Sequence, residues 1–401
     1  MIALSRRSLL GAAGTLLFAA PGLAKERQKT LVCIFLRGGV DGLSVVVPHG
    51  EGTYYEERPK IAIPAPGRSG GAIALDKRFG LHPKLAPLKP AYDAGELAFV
   101  HAVGMPDQSR SHFEAQDLME SAVPGARLGD GWLGRCLSQS ERPDAELRAL
   151  ALSRQSPLAL RGYAQTLVAR GLGGYELKAP ERVRGELERA YVAMYETAEG
   201  PGSAATREAL ALSRRMRAIL AEKSQPEHGA DYPKEARGLA EIALLIKRDV
   251  GLQVGWLDVD GWDTHQNQGN GEQGRLAGAL ELLGLGLAAF RRDVGKRMRD
   301  VVVLVMSEFG RTSRENGTAG TDHGHAGVMW LLGGAVRGRK LHGSFPGLAP
   351  EQRFEGRDLA MTTDFRDVFA ELAEKQLGVS NLVGVLPGYP LDPKKRLNLL
   401  R

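Results

Sequence analysis

Cysteine is scarce: Cys33 and Cys136 are the only two in 401 residues, so the chain has material for at most one disulfide. Cys33 falls inside an apolar run at 31–36 and Cys136 in an expected helix after Gly131-Trp-Leu, which predicts two buried free thiols. Neither has a histidine or aspartate beside it in sequence to mark a nucleophile. An excess of one charge is lacking too. The 53 Lys+Arg and 47 Asp+Glu are interspersed and leave a formal +6, with no basic tail and no basic patch interleaved with aromatics. Nucleic acid is thereby excluded as a partner, and the small excess supports only a weak preference for anionic substrates. There is no internal repeat, and 43% hydrophobic with 25% charged residues excludes disordered and fibrous classes. Two ligand motifs are echoed but not met. Asp258-Val-Asp-Gly-Trp-Asp263 has its glycine at the fourth position and Gly269 where a calcium loop needs glutamate. Gly284-Leu-Gly-Leu-Ala-Ala289 lies inside a helical pattern, whereas a dinucleotide fingerprint opens a helix after a strand.

What is present begins at the N-terminus. Ser5-Arg-Arg-Ser-Leu-Leu10 leads into an apolar run at 11–21 and then Gly-Leu-Ala24 before Lys25. This resembles a twin-arginine export signal with cleavage after Ala24, and the run is too short and too rich in glycine and alanine for a stable membrane span. The expected organisation is a signal at 1–24 and a single domain at 25–401. A charged helical insertion or cap is expected at about 179–250, where Leu212, Met216, Ile219 and Leu220 recur at helical spacing.

Strands are expected at 31–36, 97–103, 149–152, 251–259, 301–306 and 328–332, with helices starting near 109–111 and covering 273–292 and 364–377. This alternation predicts an α/β fold, a mainly parallel sheet covered by helices on both faces. Polar clusters follow four of the strands: Asp41; Ser109-Arg-Ser-His112; Asp263 and His265; and Glu308 with Asp322, His323 and His325. In a parallel sheet these ends share one edge, where open α/β sheets place their sites. Carboxylates and imidazoles together suit one or two divalent cations, zinc or manganese.

The blocks Arg37-Gly-Gly-Val-Asp-Gly-Leu-Ser, Ser109-Arg-Ser-His-Phe-Glu-Ala-Gln-Asp117, Gly261-Trp-Asp-Thr-His-Gln-Asn267, Ser307-Glu-Phe-Gly-Arg-Thr312 and Gly320-Thr-Asp-His-Gly-His-Ala326 resemble the signature blocks of the domain of unknown function 1501 family. That family is similar in layout to the alkaline phosphatase and sulfatase superfamily. The resemblance implies an exported metal-dependent hydrolase of a small phosphate or sulfate ester, or a non-catalytic periplasmic protein that retains the fold. It implies metal ligation by some of Asp41, Asp263, His265, Glu308, Asp322, His323 and His325, with Glu308 and at least one of His323 and His325 among them, and Ser111, or less well Ser109, as nucleophile. Both serines also suit helix capping, and His112 suits a structural or substrate-facing role. Arg37, Arg110 and Arg311 are available to clamp an anion. Phe309 stands where the superfamily has histidine after the acid, so a full two-metal site is one ligand short. No cysteine near Ser111 offers the formylglycine chemistry of sulfatases.

Overall fold

The computed structural model describes residues 28–123, 128–140, 145, 147–172, 179–196, 211, 214, 216, 218, 219 and 226–401. The expected export signal, Leu212 and Leu220 lie outside them. Among the described residues no helix is long and apolar enough to cross a membrane.

Among the described residues the main sheet has nine strands: β1 (Thr30–Arg37), β2 (Leu97–Gly104), β3 (Ala149–Leu152), β4 (Thr166–Ala169), β5 (Val254–Asp260), β6 (Val301–Met306), β7 (Gly327–Gly333), β8 (Lys340–His342) and β9 (Thr363–Asp364). Their order is β8-β2-β7-β6-β1-β5-β3-β4, with β9 also paired to β2. Alternate residues of β1 enter opposite layers, as the two-residue period of a strand requires. Val32, Ile34 and Leu36 face one core and Leu31, Cys33 and Phe35 the other. Helices α4 (Arg237–Lys247) and α5 (Arg275–Val294) cover the first face, and α1 (His112–Ser121), α2 (Trp132–Ser138) and α6 (Phe365–Glu371) the second. Both thiols are buried and free, and burial pushes their pKa values up.

The end of the 179–250 stretch is thus part of the sheet's covering layer, because Leu239, Ile242 and Ala243 of α4 pack in the core. Met216 is also fully buried there, and α3 (Glu181–Glu196) precedes it. Gly286 of α5 is explained by packing: a Cβ there would lie 2.6 Å from that of Ala236.

β7 departs from the parallel pattern. It runs antiparallel to both β6 and β2, with Trp330 opposite Val305 and Phe99. The connection from β6 stays at the strand ends and turns straight back, and only an antiparallel strand can be reached that way. This return loop carries Arg311, Asp322, His323 and His325 across the edge where β1, β5 and β6 end side by side.

Candidate metal centre

Three histidines and one aspartate converge at that edge. His112 opens α1, whose N-terminus is set by extended backbone at Ser111 and whose end is set by left-handed Ala122. Asp263 and His265 follow β5, and His323 sits on the return loop. One atom from each of His112, Asp263 and His323 lies within 4.8 Å of the others. His265 Nε2 lies beside this group, 3.0 Å from Asp263 Oδ1 and 2.9 Å from His323 Nε2.

Each imidazole is held through Nδ1 by an acceptor. His112 Nδ1 donates to Glu308 Oε1 (2.8 Å), His323 Nδ1 to the Arg110 carbonyl (2.7 Å) and His265 Nδ1 to Asp322 Oδ1 (3.0 Å). Those acceptors fix the proton on Nδ1 and leave the Nε2 lone pairs facing inward. Two lone pairs 2.9 Å apart repel unless a proton or a cation lies between them. His112 Nε2, moreover, is buried without a hydrogen-bond partner, 3.4 Å from Asp263 Oδ2. An orphaned nitrogen, two facing nitrogens and a carboxylate oxygen are donors of the kind zinc takes, and outer acceptors of this kind are what orient metal-ligating histidines. Phe309 closes one side, its ring centroid 4.8 Å from that of His112 and 5.0 Å from that of His323. The Asp263 and His265 side chains are 43% and 40% exposed, so the centre opens to solvent on the other.

The remaining expected ligands are placed differently. Asp41 is buried and bound by Arg58 through both oxygens (2.6 and 3.1 Å), with Ser44 and Gln268 donating at 2.7 Å each. A guanidinium therefore stands where a cation was expected. Burial alone would raise the Asp41 pKa, but Arg58 holds it below the usual carboxylate range. Glu308 is saturated: Oε1 accepts from Gly38 N (2.9 Å), His112 and Gln116 Nε2 (2.7 Å), and Oε2 from Ser307 Oγ (2.9 Å). Those bonds outweigh burial and lower its pKa. Glu308 thus positions His112, and Asp322 positions His265. His325 is turned away, stacked on Phe354 at 4.2 Å.

Ser111 is exposed at the N-cap of α1, and its hydroxyl makes no capping bond. The arginines are committed as well. Arg311 is buried and donates to the carbonyls of Gly38, Gly39, Trp262 and Thr321 and to Asp263, so it ties the strand-end loops together. Arg110 pairs with Glu355 (2.6 Å) and Asp358 (3.0 Å), and Arg37 with Glu120 and Asp258 (2.8 Å each). Gly38 makes this packing possible: at φ +123°, a Cβ there would stand 2.5 Å from the Asp263 nitrogen. His112 is the member that the sequence did not single out as a ligand. Its signal was a histidine in a strand-end block, with Gln116 one helical turn on.

No curated protein matches this chain. Among solved structures it is similar to the alkaline phosphatase of the Antarctic bacterium TAB5, at 10% identity and TM-score 0.30 over 77% of this chain and 91% of that one. It is also similar to a 2-O GAG sulfatase, at 11% identity and TM-score 0.29 over 79% of this chain and 66% of that one. The sequence pattern of the family described as protein of unknown function (DUF1501) matches residues 28–385, and the chain belongs to that family.

Proposed function

We propose that this protein is an exported hydrolase of phosphate or sulfate esters that holds one divalent cation on His112, Asp263, His265 and His323. Imidazole-rich donation favours zinc over manganese. The carrying observation is the convergence of three Nδ1-anchored imidazoles on one carboxylate, with two Nε2 atoms 2.9 Å apart. A cation bound there would polarise an ester oxygen and lower the pKa of an attacking hydroxyl or water. Within this reading Glu308, the Arg110 carbonyl and Asp322 keep the three Nε2 atoms inward, Phe309 shields one flank, and substrate enters over Asp263 and His265. Ser111, exposed beside His112, is the assigned nucleophile. One cation is proposed because, among the described residues, one group of candidate ligands converges and Asp41 is bound by Arg58 instead.

One observation favours a second reading, a metal-binding protein without turnover. Arg37, Arg110 and Arg311 are all committed to carboxylates or carbonyls, so none of them is free to clamp an anion at the centre. Elemental analysis combined with an aryl phosphate and aryl sulfate panel separates the readings. The hydrolytic reading expects about one zinc per chain, turnover of one ester class, loss of metal and turnover in His265→Ala, and loss of turnover with metal retained in Ser111→Ala. Bound metal without turnover supports the second reading, and a metal-free wild-type protein overturns both. Export is tested by replacing Arg6 and Arg7 with lysine, which is expected to retain the precursor in the cytoplasm.

A further inference from the structure

A cavity of about 580 Å³ lies alongside α1, within the size range of small-molecule sites. It adjoins the metal centre through one side chain: Gln116 lines it and donates to Glu308, which holds His112. Arg37, also in its wall, donates to Gln116 Oε1 at 2.9 Å and is neutralised by Glu120 and Asp258. The rest of the wall is built differently. Arg154, Arg161 and Arg170, on the segments that follow β3 and β4, are exposed. Among the described residues no carboxylate pairs with any of the three. Beside them stands Phe113, 86% exposed.

Together these features offer a ligand both an apolar face and charged donors. A phenyl ring in water gains nothing until something covers its face. Free guanidinium groups present forked donors to sulfate, phosphate or carboxylate oxygens. Asp117 and Asp260, also in the wall, are acceptors suited to hydroxyl groups. An apolar platform, anion-binding forks and hydroxyl acceptors together match the flat face, charged substituents and hydroxyls of an anionic sugar. They also supply the anion recognition that the committed arginines at the centre do not.

We infer that this cavity is a substrate subsite for a saccharide carrying sulfate or phosphate groups, with Phe113 under a sugar ring and Arg154, Arg161 and Arg170 on its anionic substituents. The inference rests on the hydrolytic reading of the neighbouring centre, for which it names the substrate class. The test is calorimetric titration of the full protein with a sulfated disaccharide, its unsulfated counterpart and adenosine diphosphate. The expected result is measurable binding of the sulfated sugar alone. It should weaken about tenfold or more in Phe113→Ala and in the Arg154→Ala/Arg161→Ala/Arg170→Ala triple variant, and it should persist in His265→Ala, which lacks the metal. Equal binding of sulfated and unsulfated sugars, tighter binding of the nucleotide, or unchanged affinity in both variants overturns it. Failure of the hydrolytic reading has a separate signature, the absence of aryl ester turnover by the wild-type protein.

Discussion

Glu308→Gln isolates the charge on an outer residue of the proposed metal centre. Glu308 Oε1 accepts three donors, from Gly38, His112 and Gln116, and a glutamine carbonyl can accept the same three. The other end faces Ser307 Oγ, which is also 2.6 Å from the Leu36 carbonyl and can give its proton there. A glutamine NH₂ can then donate to the serine oxygen, so shape and hydrogen-bond count are kept and only the negative charge is lost. Hydrogen bonds to charged groups contribute about 1.5–3 kcal/mol and neutral ones about 0.5–1.5, so the His112 anchor weakens by about 1–1.5 kcal/mol. That predicts a loss of metal affinity of about tenfold, at the lower end of the range for outer-shell substitutions. Zinc affinity is read by competition with a chromophoric chelator. Glu308→Ala is the contrasting variant, because it orphans several buried donors at roughly 1–3 kcal/mol each and so reduces fold stability as well. Metal affinity within twofold of wild type in a folded Glu308→Gln protein would refute the view that Glu308 holds His112 for ligation.

Asp41→Asn should leave the fully buried Arg58 uncompensated and destabilise the fold by about 3–5 kcal/mol in urea unfolding, with metal content per folded chain unchanged; lost metal in a stable variant would restore Asp41 as a ligand. His82 and His101 supply a pH dependence, since burial lowers each from 6.5 to about 4. His82 Nδ1 accepts the Lys84 amide, and His101 is packed between Phe79 and Phe345. Folded pKa values below the unfolded ones mean that the unfolded chain takes up protons first. Stability is therefore full above about pH 6.5 and falls as pH drops toward 4, by up to about 3 kcal/mol per histidine. Unfolding free energies measured from pH 7 to 4 should show that slope, and His101→Leu should lower it; a flat profile would contradict the burial argument.

Much of the fold was legible because its central strands are buried on both faces. β1 and β6 have to be unbroken apolar runs, and 31–36 and 301–306 stand out as such. β4, β8 and β9 are short edge segments with weak patterns and were not read. The direction of β7 was missed because an apolar run carries no direction; the return loop decides it. Within the site, Asp263, His265 and His323 were recognisable as ligand types at a strand edge. Glu308 and Asp322 were recognised too, but their task depends on which neighbours reach them first.

The amino-acid order by itself determined that acids and histidines would collect at the C-terminal edge of a mainly parallel sheet, because strand ends and glycine turns are local features. Tertiary structure decided how they divide the work. Arg58, sixteen residues beyond Gly42 and from another segment than the histidines, fills the pocket around Asp41, and His112 swings in from α1 to join Asp263, His265 and His323. A carboxylate becomes a ligand, an ion-pair partner or an anchor for an imidazole according to the donor that sits within about 3 Å of it. That distance is set by packing between segments far apart in sequence.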